Sequence, residues 1–139
     1  MIVFIDDDRF YADRWIERLR DRFTVEHFTN ADAAILHIRS ATGVKGVVLD
    51  VMMPSPLSAT DEETNRGHDT GLWLLEQISE WVSENEVPVI VLTNRDPDYV
   101  EARVNALKFV PGLVVVRKKL ETNRDRLLSI LTDMVTHWK

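Results

Sequence analysis

Four short stretches of this chain end apolar runs in residues able to do chemistry. FIDDD (4–8) closes one run with consecutive carboxylates, and VVLD (47–50) closes another with a single acid. VLT (91–93) closes a third with a hydroxyl, and VVVRKK (114–119) a fourth with cations. Brought together, Asp6, Asp7 and Asp50 would repel: two unit charges about 4 Å apart interact by roughly 4 kcal/mol at an effective dielectric near 20. Such a cluster takes up protons or recruits a cation. Oxygen ligands that leave several positions to water favour Mg²⁺ over softer metals. Thr93 would add a hydrogen-bond donor and Lys118 an ammonium. Acids, hydroxyl and ammonium around one crevice suit a phosphoryl group, which a carboxylate can attack.

These side chains meet only if the runs are strands of one sheet with their carboxyl ends on the same side. MIVFI (1–5), TVEHF (24–28), GVVL (46–49), PVIVL (88–92) and GLVVV (112–116) have strand length. All but the second are continuously hydrophobic, as expected of a parallel sheet covered on both faces. Helical stripes alternate with them: Ala12, Ile16, Leu19 and Phe23; Ala34, Ile35 and Ile38; Leu74, Leu75, Ile78, Trp81 and Val82; Val100, Val104 and Leu107; and Leu127, Leu128, Leu131, Met134, Val135 and Trp138. Asp8 is read as the N-cap of the first helix, Asn30 of the second and Asp96-Pro97 of the fourth, while Thr122 opens the last. The expected fold is therefore α/β, five β-α repeats in a three-layer sandwich, with ligands gathering beyond the strand carboxyl ends.

Composition sets the remaining bounds. The chain has 139 residues, a net charge of −6 and no cysteine. It is long enough for one domain with a real core, and has neither disulfide framework nor thiolate chemistry. The charge argues against direct nucleic-acid binding. No apolar run approaches membrane-spanning length and the N-terminus lacks a secretory signal, so the cytoplasm is the expected location. The four histidines (27, 37, 68, 137) show no metal-ligand spacing, and Trp73 and Trp81 are read as helix packing.

Over its whole length the chain resembles the receiver domain of bacterial two-component response regulators. FIDDD resembles the acidic pair after the first strand, VLDVMMP the phosphoacceptor motif, VLT the switch hydroxyl, and the lysine of RKK the lysine that follows strand 5. The resemblance implies a single receiver domain over residues 1–139 with a flavodoxin-like (CheY-like) parallel sheet of order 2-1-3-4-5 flanked by five helices. It implies Asp50 as phosphoacceptor, and Mg²⁺ held by Asp6, Asp7, Asp50 and the backbone carbonyl of Met52. Thr93 and Lys118 would grip the phosphoryl oxygens. A histidine kinase or phosphotransfer protein would supply the phosphoryl group. An output protein, whose identity the sequence does not give, would read the fourth-helix, fifth-strand and fifth-helix face.

The chain departs from that pattern in three places. Lys119 follows Lys118 where the family usually has proline, and a non-proline cis bond costs about 3 kcal/mol. Val115 stands where an aromatic switch residue is common. SPLSATDEETNRGHDT (55–70) lacks a sustained period and runs thirteen residues past the family's usual three between Pro54 and Gly71. It reads equally as an inert insertion or as a lid or docking element. Met52, two positions beyond the acceptor, is expected to affect the dephosphorylation rate.

Two other readings stay open. One is a pseudo-receiver, a binding module of the same fold that ignores phosphate; the missing proline and aromatic favour it and the complete acid triad opposes it. The other is a phosphatase of the haloacid-dehalogenase type, whose Asp-x-Asp start Asp6-Asp7-Asp8 resembles and whose Thr/Ser motif VLTN resembles. Phe10 and the lack of a late acidic pair oppose it.

Overall fold

A computed structural model of the chain describes residues 1–138. Five strands, β1 (Ile2–Ile5), β2 (Val25–Phe28), β3 (Gly46–Asp50), β4 (Val89–Thr93) and β5 (Val114–Lys118), form one sheet in the order β2-β1-β3-β4-β5. Every neighbouring pair is parallel. The helices are α1 (Arg9–Leu19), α2 (Ala31–Ser40), α3 (Asp61–Thr64), α4 (Thr70–Asn85), α5 (Pro97–Asn105) and α6 (Arg124–His137).

The two-residue period of the strands divides the core. Val3, Ile5, Val47, Leu49, Val89 and Val91 point to one face, where α2, α4 and α5 cover them. Ile2, Phe4, Val48, Ile90 and Leu92 point to the other, beneath α1 and α6. Burial on both sides explains why these strands read as unbroken apolar runs. The connection leaves β1 for β2 on one side and β3 for β4 on the other. The resulting crevice lies beyond β1 and β3, where Asp6 and Asp50 stand.

The caps act locally as expected at three helices. Asp8 accepts from the amides of Phe10 and Tyr11, Asn30 from Ala33, and Asp96 from Asp98 ahead of Pro97. At α6 the cap is Asn123, which accepts from the Arg126 amide, and not Thr122. The resemblance implies five helices; six α-helices are present among the described residues. The additional one, α3, lies in 55–70 and is opened by a capping box between Thr60 and Glu63. The last strand also ends two residues later than its apolar run, because pairing with β4 continues through Thr93↔Lys118.

Candidate functional site

The site is built from the chain ends of β1, β3 and β4 and the turn after β5. Asp6 leaves β1 buried, 2% exposed. Its Oδ1 accepts from the Asp8 amide at 2.9 Å, and its backbone carbonyl lies 2.8 Å from His27 Nε2. Asp50 ends β3, also buried, with Oδ1 accepting from the Val51 amide at 2.8 Å. Asp7 is exposed at the rim. One carboxylate oxygen from each of Asp6, Asp7 and Asp50 lies within 4.8 Å of the others. The three acids therefore converge as the sequence implied, with an all-oxygen donor set open to solvent that fits a hard divalent cation.

The ammonium over these acids belongs to Lys119. Its Nζ stands 2.9 Å from Asp6 Oδ2 and 3.2 Å from Asp50 Oδ2. The assignment to Lys118 is thereby corrected. Because β5 extends through Lys118, that side chain stands 51% exposed and pairs with Glu121 at 3.5 Å. A 3₁₀ turn at Lys119–Glu121 then rotates the next side chain into the crevice, leaving Lys119 only 10% exposed. Among the described residues no peptide bond is cis.

The charges disturb one another. Burial raises the Asp50 pKa to about 6; Lys119 opposes the shift, Asp6 adds to it, and the hydrogen bond from the Val51 amide opposes it. Burial and then Asp6 also raise Asp7. Burial acts to lower Lys119, but Asp50 and Asp6 more than offset it and hold the ammonium above its ordinary value. Beside the acids lies a cavity of about 320 Å³, walled by Tyr11, Trp15, Met52, Asn94 and Leu120. Lys119 Nζ is 5.6 Å from the Tyr11 ring centroid, within cation–π range.

Thr93 ends β4, the strand next to β3, one residue beyond the Asp50↔Leu92 pair. It is buried, and its Oγ1 accepts from the Arg95 amide at 2.8 Å. Met52 puts its exposed side chain into the cavity wall.

Sequence reasoning passed over Gly71, which fixes the end of β3. Its amide donates to the Val51 carbonyl at 2.8 Å, and a Cβ there would stand 2.1 Å from the Asp50 carbonyl oxygen. Only glycine lets α4 approach that closely. The preceding segment is folded and anchored. The Met53 amide donates to Gly67, Thr70 Oγ1 donates to the Met53 carbonyl at 2.7 Å, and Ser58 hydrogen-bonds Asp32. Asn65, Arg66 and Gly67 turn it back with three successive positive φ angles. Of its acids, Asp69 is buried and paired with Arg95 on the α5 side. Trp73 is buried in the core and Trp81 packs against it, as their spacing implied. His68 and His137 are exposed, while His27 and His37 are half-buried.

Among the described residues, no helix is long and apolar enough to cross a membrane. No family model matches the chain, and no curated protein matches it. Solved structures do. A response regulator receiver protein from Sinorhizobium medicae WSM419 is 17% identical, with a TM-score of 0.75 over 99% of this chain and 95% of that one. A CheY-like receiver domain protein from Methanospirillum hungatei JF-1 is 16% identical, with a TM-score of 0.75 over 99% and 94%. The receiver domain of the Francisella response regulator 1452 is 16% identical, with a TM-score of 0.72 over 99% and 98%. At these identities the likeness is one of fold, and the fold is that of receiver domains. Coverage this complete on both sides gives no support to a long insertion at 55–70, nor do these structures favour the phosphatase alternative.

Proposed function

We propose that this chain is a receiver domain whose Asp50 accepts a phosphoryl group from the phosphohistidine of a kinase or phosphotransfer protein. The observation that carries the reading is the convergence of Asp6, Asp7 and Asp50 with the Lys119 ammonium at the ends of adjacent parallel strands. In the transfer, an Asp50 oxygen forms a bond to phosphorus as the P–N bond breaks, and its electron pair leaves with the imidazole. Lys119, already beside Asp50, shifts its charge onto the phosphoryl oxygens. Thr93, on the neighbouring strand, donates its hydroxyl to them. Asp6, Asp7, Asp50 and the Met52 carbonyl would hold Mg²⁺, which when bound neutralises phosphoryl charge.

The aspartyl phosphate adds up to about two negative charges to a buried strand end. Thr93 turns toward them and carries the loop after β4 with it, reshaping the α5–β5–α6 face for an output partner. Placing Lys119 at the site moves the family comparison along by one residue. Leu120 then stands at the usual proline and Val116 at the usual aromatic, so both departures persist. The domain acts as a phosphorylated signalling module over residues 1–139, and not as an enzyme on an external substrate.

Mass spectrometry after treatment with acetyl phosphate and Mg²⁺ tests this. One phosphate on Asp50, lost in Asp50→Asn, is expected. An unmodified wild-type protein, or phosphate on Asp6, overturns the reading; the first outcome points to a pseudo-receiver and the second to the phosphatase chemistry.

A further inference from the structure

Asp69 stands at the N-cap of α4, where an aspartate ordinarily accepts from the amides of the first turn. It makes no such bond. Both its oxygens turn outward to the β4–α5 region, although the side chain is only 4% exposed. Oδ1 accepts from Arg95 Nε at 3.2 Å, and Oδ2 accepts from the Tyr99 hydroxyl at 2.7 Å. Arg103 Nη1 donates to the Tyr99 hydroxyl at 2.9 Å and lies 3.7 Å from Asp69 Oδ2. The Arg95 guanidinium also sits over the Tyr99 ring, 4.7 Å from its centroid. A carboxylate buried this deeply is stable only while it stays paired.

Arg95 is held at both ends. Its side chain grips Asp69, and its amide donates to Thr93 Oγ1 at 2.8 Å. Thr93 cannot reorient with that hydrogen bond intact unless Arg95 moves too. Two residues beyond Asp69, Gly71 is bonded to the backbone just after Asp50. One short segment thus braces the acceptor strand and the hydroxyl strand together.

We propose that Asp69 is a positioning residue for Thr93: through Arg95 it latches the loop after β4 in the resting arrangement. This inference rests on the phosphoacceptor reading above. When a phosphoryl group draws Thr93 inward, Arg95 leaves Asp69, and Arg103, already close, keeps the buried carboxylate paired. The Asp69–Arg95–Tyr99 cluster then performs the coupling that an aromatic on β5 would otherwise provide.

The test uses Mg²⁺ and then beryllofluoride, a stand-in for the phosphoryl group, titrated against the full chain and followed by tryptophan fluorescence. Arg95→Gln, Tyr99→Phe and Asp69→Asn are compared with wild type. Arg95→Gln is expected to leave Mg²⁺ affinity within about twofold and to lower the half-saturating beryllofluoride concentration roughly fivefold, the low end of allosteric coupling. Arg95→Lys restores much of the wild-type value. Tyr99→Phe moves the same way by less, so the proposal stays exposed to refutation if Asp69→Asn fails to fold. Unchanged or weakened beryllofluoride binding in Arg95→Gln, with a normal wild-type response, overturns the latch alone. A wild-type protein that binds Mg²⁺ but ignores beryllofluoride overturns the phosphoacceptor reading and the latch with it.

Discussion

The Lys119 ammonium lies 3.2 Å from the Asp50 carboxylate, while its neighbour Lys118 turns away to Glu121. Removing the charge should therefore separate the two lysines. Lys119→Met leaves two buried acids without a cation and is expected to destabilise the apo protein by about 1–3 kcal/mol, to raise Mg²⁺ affinity and to abolish phosphorylation by acetyl phosphate. Lys118→Met should alter none of these measurably. Urea unfolding, Mg²⁺ titration and mass spectrometry on the two variants check it, and equal effects from both would refute the assignment.

The same pair shows what the sequence could and could not reveal. Asp6 and Asp50 were legible because each ends a run buried on both faces, and a parallel sheet brings such ends together. The lysine was not, because the last run stops at Val116 while strand pairing continues to Lys118. Three adjacent cations differ only in where the strand lets go, which depends on the length of β4 and not on hydropathy. Gly71 and Asp69 were illegible for a related reason. Their roles arise from contacts with Asp50 and Arg95 that are distant in sequence.

Stability should depend on the ionisation of Asp50. Its folded pKa, about 6, exceeds the ordinary 3.8, so between these values the folded state binds more protons than the unfolded chain. Stability contributed at low pH is lost as pH rises through that interval, by an amount on the order of 3 kcal/mol. Metal-free denaturation at pH 4 and pH 7 should show this loss in wild type relative to Asp50→Asn. Mg²⁺ at pH 7 should recover much of it. A difference between the two proteins that does not change with pH would count against a buried, ionisable Asp50.

Residues 55–70 should resist proteolysis unevenly. Leu57 is fully exposed ahead of α3, whereas Thr64, Gly67, Asp69 and Thr70 are buried and hydrogen-bonded to their surroundings. Brief digestion with subtilisin, which cuts exposed chain with little side-chain preference, should cut around the exposed Leu57 and spare the stretch after Thr64. Thr70→Val, which leaves the buried Met53 carbonyl without its donor, is expected to cost about 1–3 kcal/mol and to spread cleavage toward Gly67; Thr70→Ser should restore the wild-type pattern. Even cutting across 55–70 in wild type would contradict an anchored segment.

Gly71 offers the sharpest link between packing and the site. A Cβ there meets the Asp50 carbonyl oxygen at 2.1 Å and the Val51 Cα at 2.7 Å, both backbone atoms that no rotamer change can move aside. In Gly71→Ala, α4 must retreat or the end of β3 must shift, at about 1–3 kcal/mol for overpacking. The backbone that would shift carries the Asp50 carboxylate, so Mg²⁺ affinity should fall together with the unfolding midpoint. Gly112→Ala is the control: its φ of +86° strains an alanine, but nothing lies within 4 Å of the new Cβ. It should lose about 1–2 kcal/mol and bind Mg²⁺ as wild type does. Stability alone would not distinguish the two variants, whereas the metal titration does, and unchanged Mg²⁺ affinity in Gly71→Ala would mean that the acid cluster does not depend on this contact.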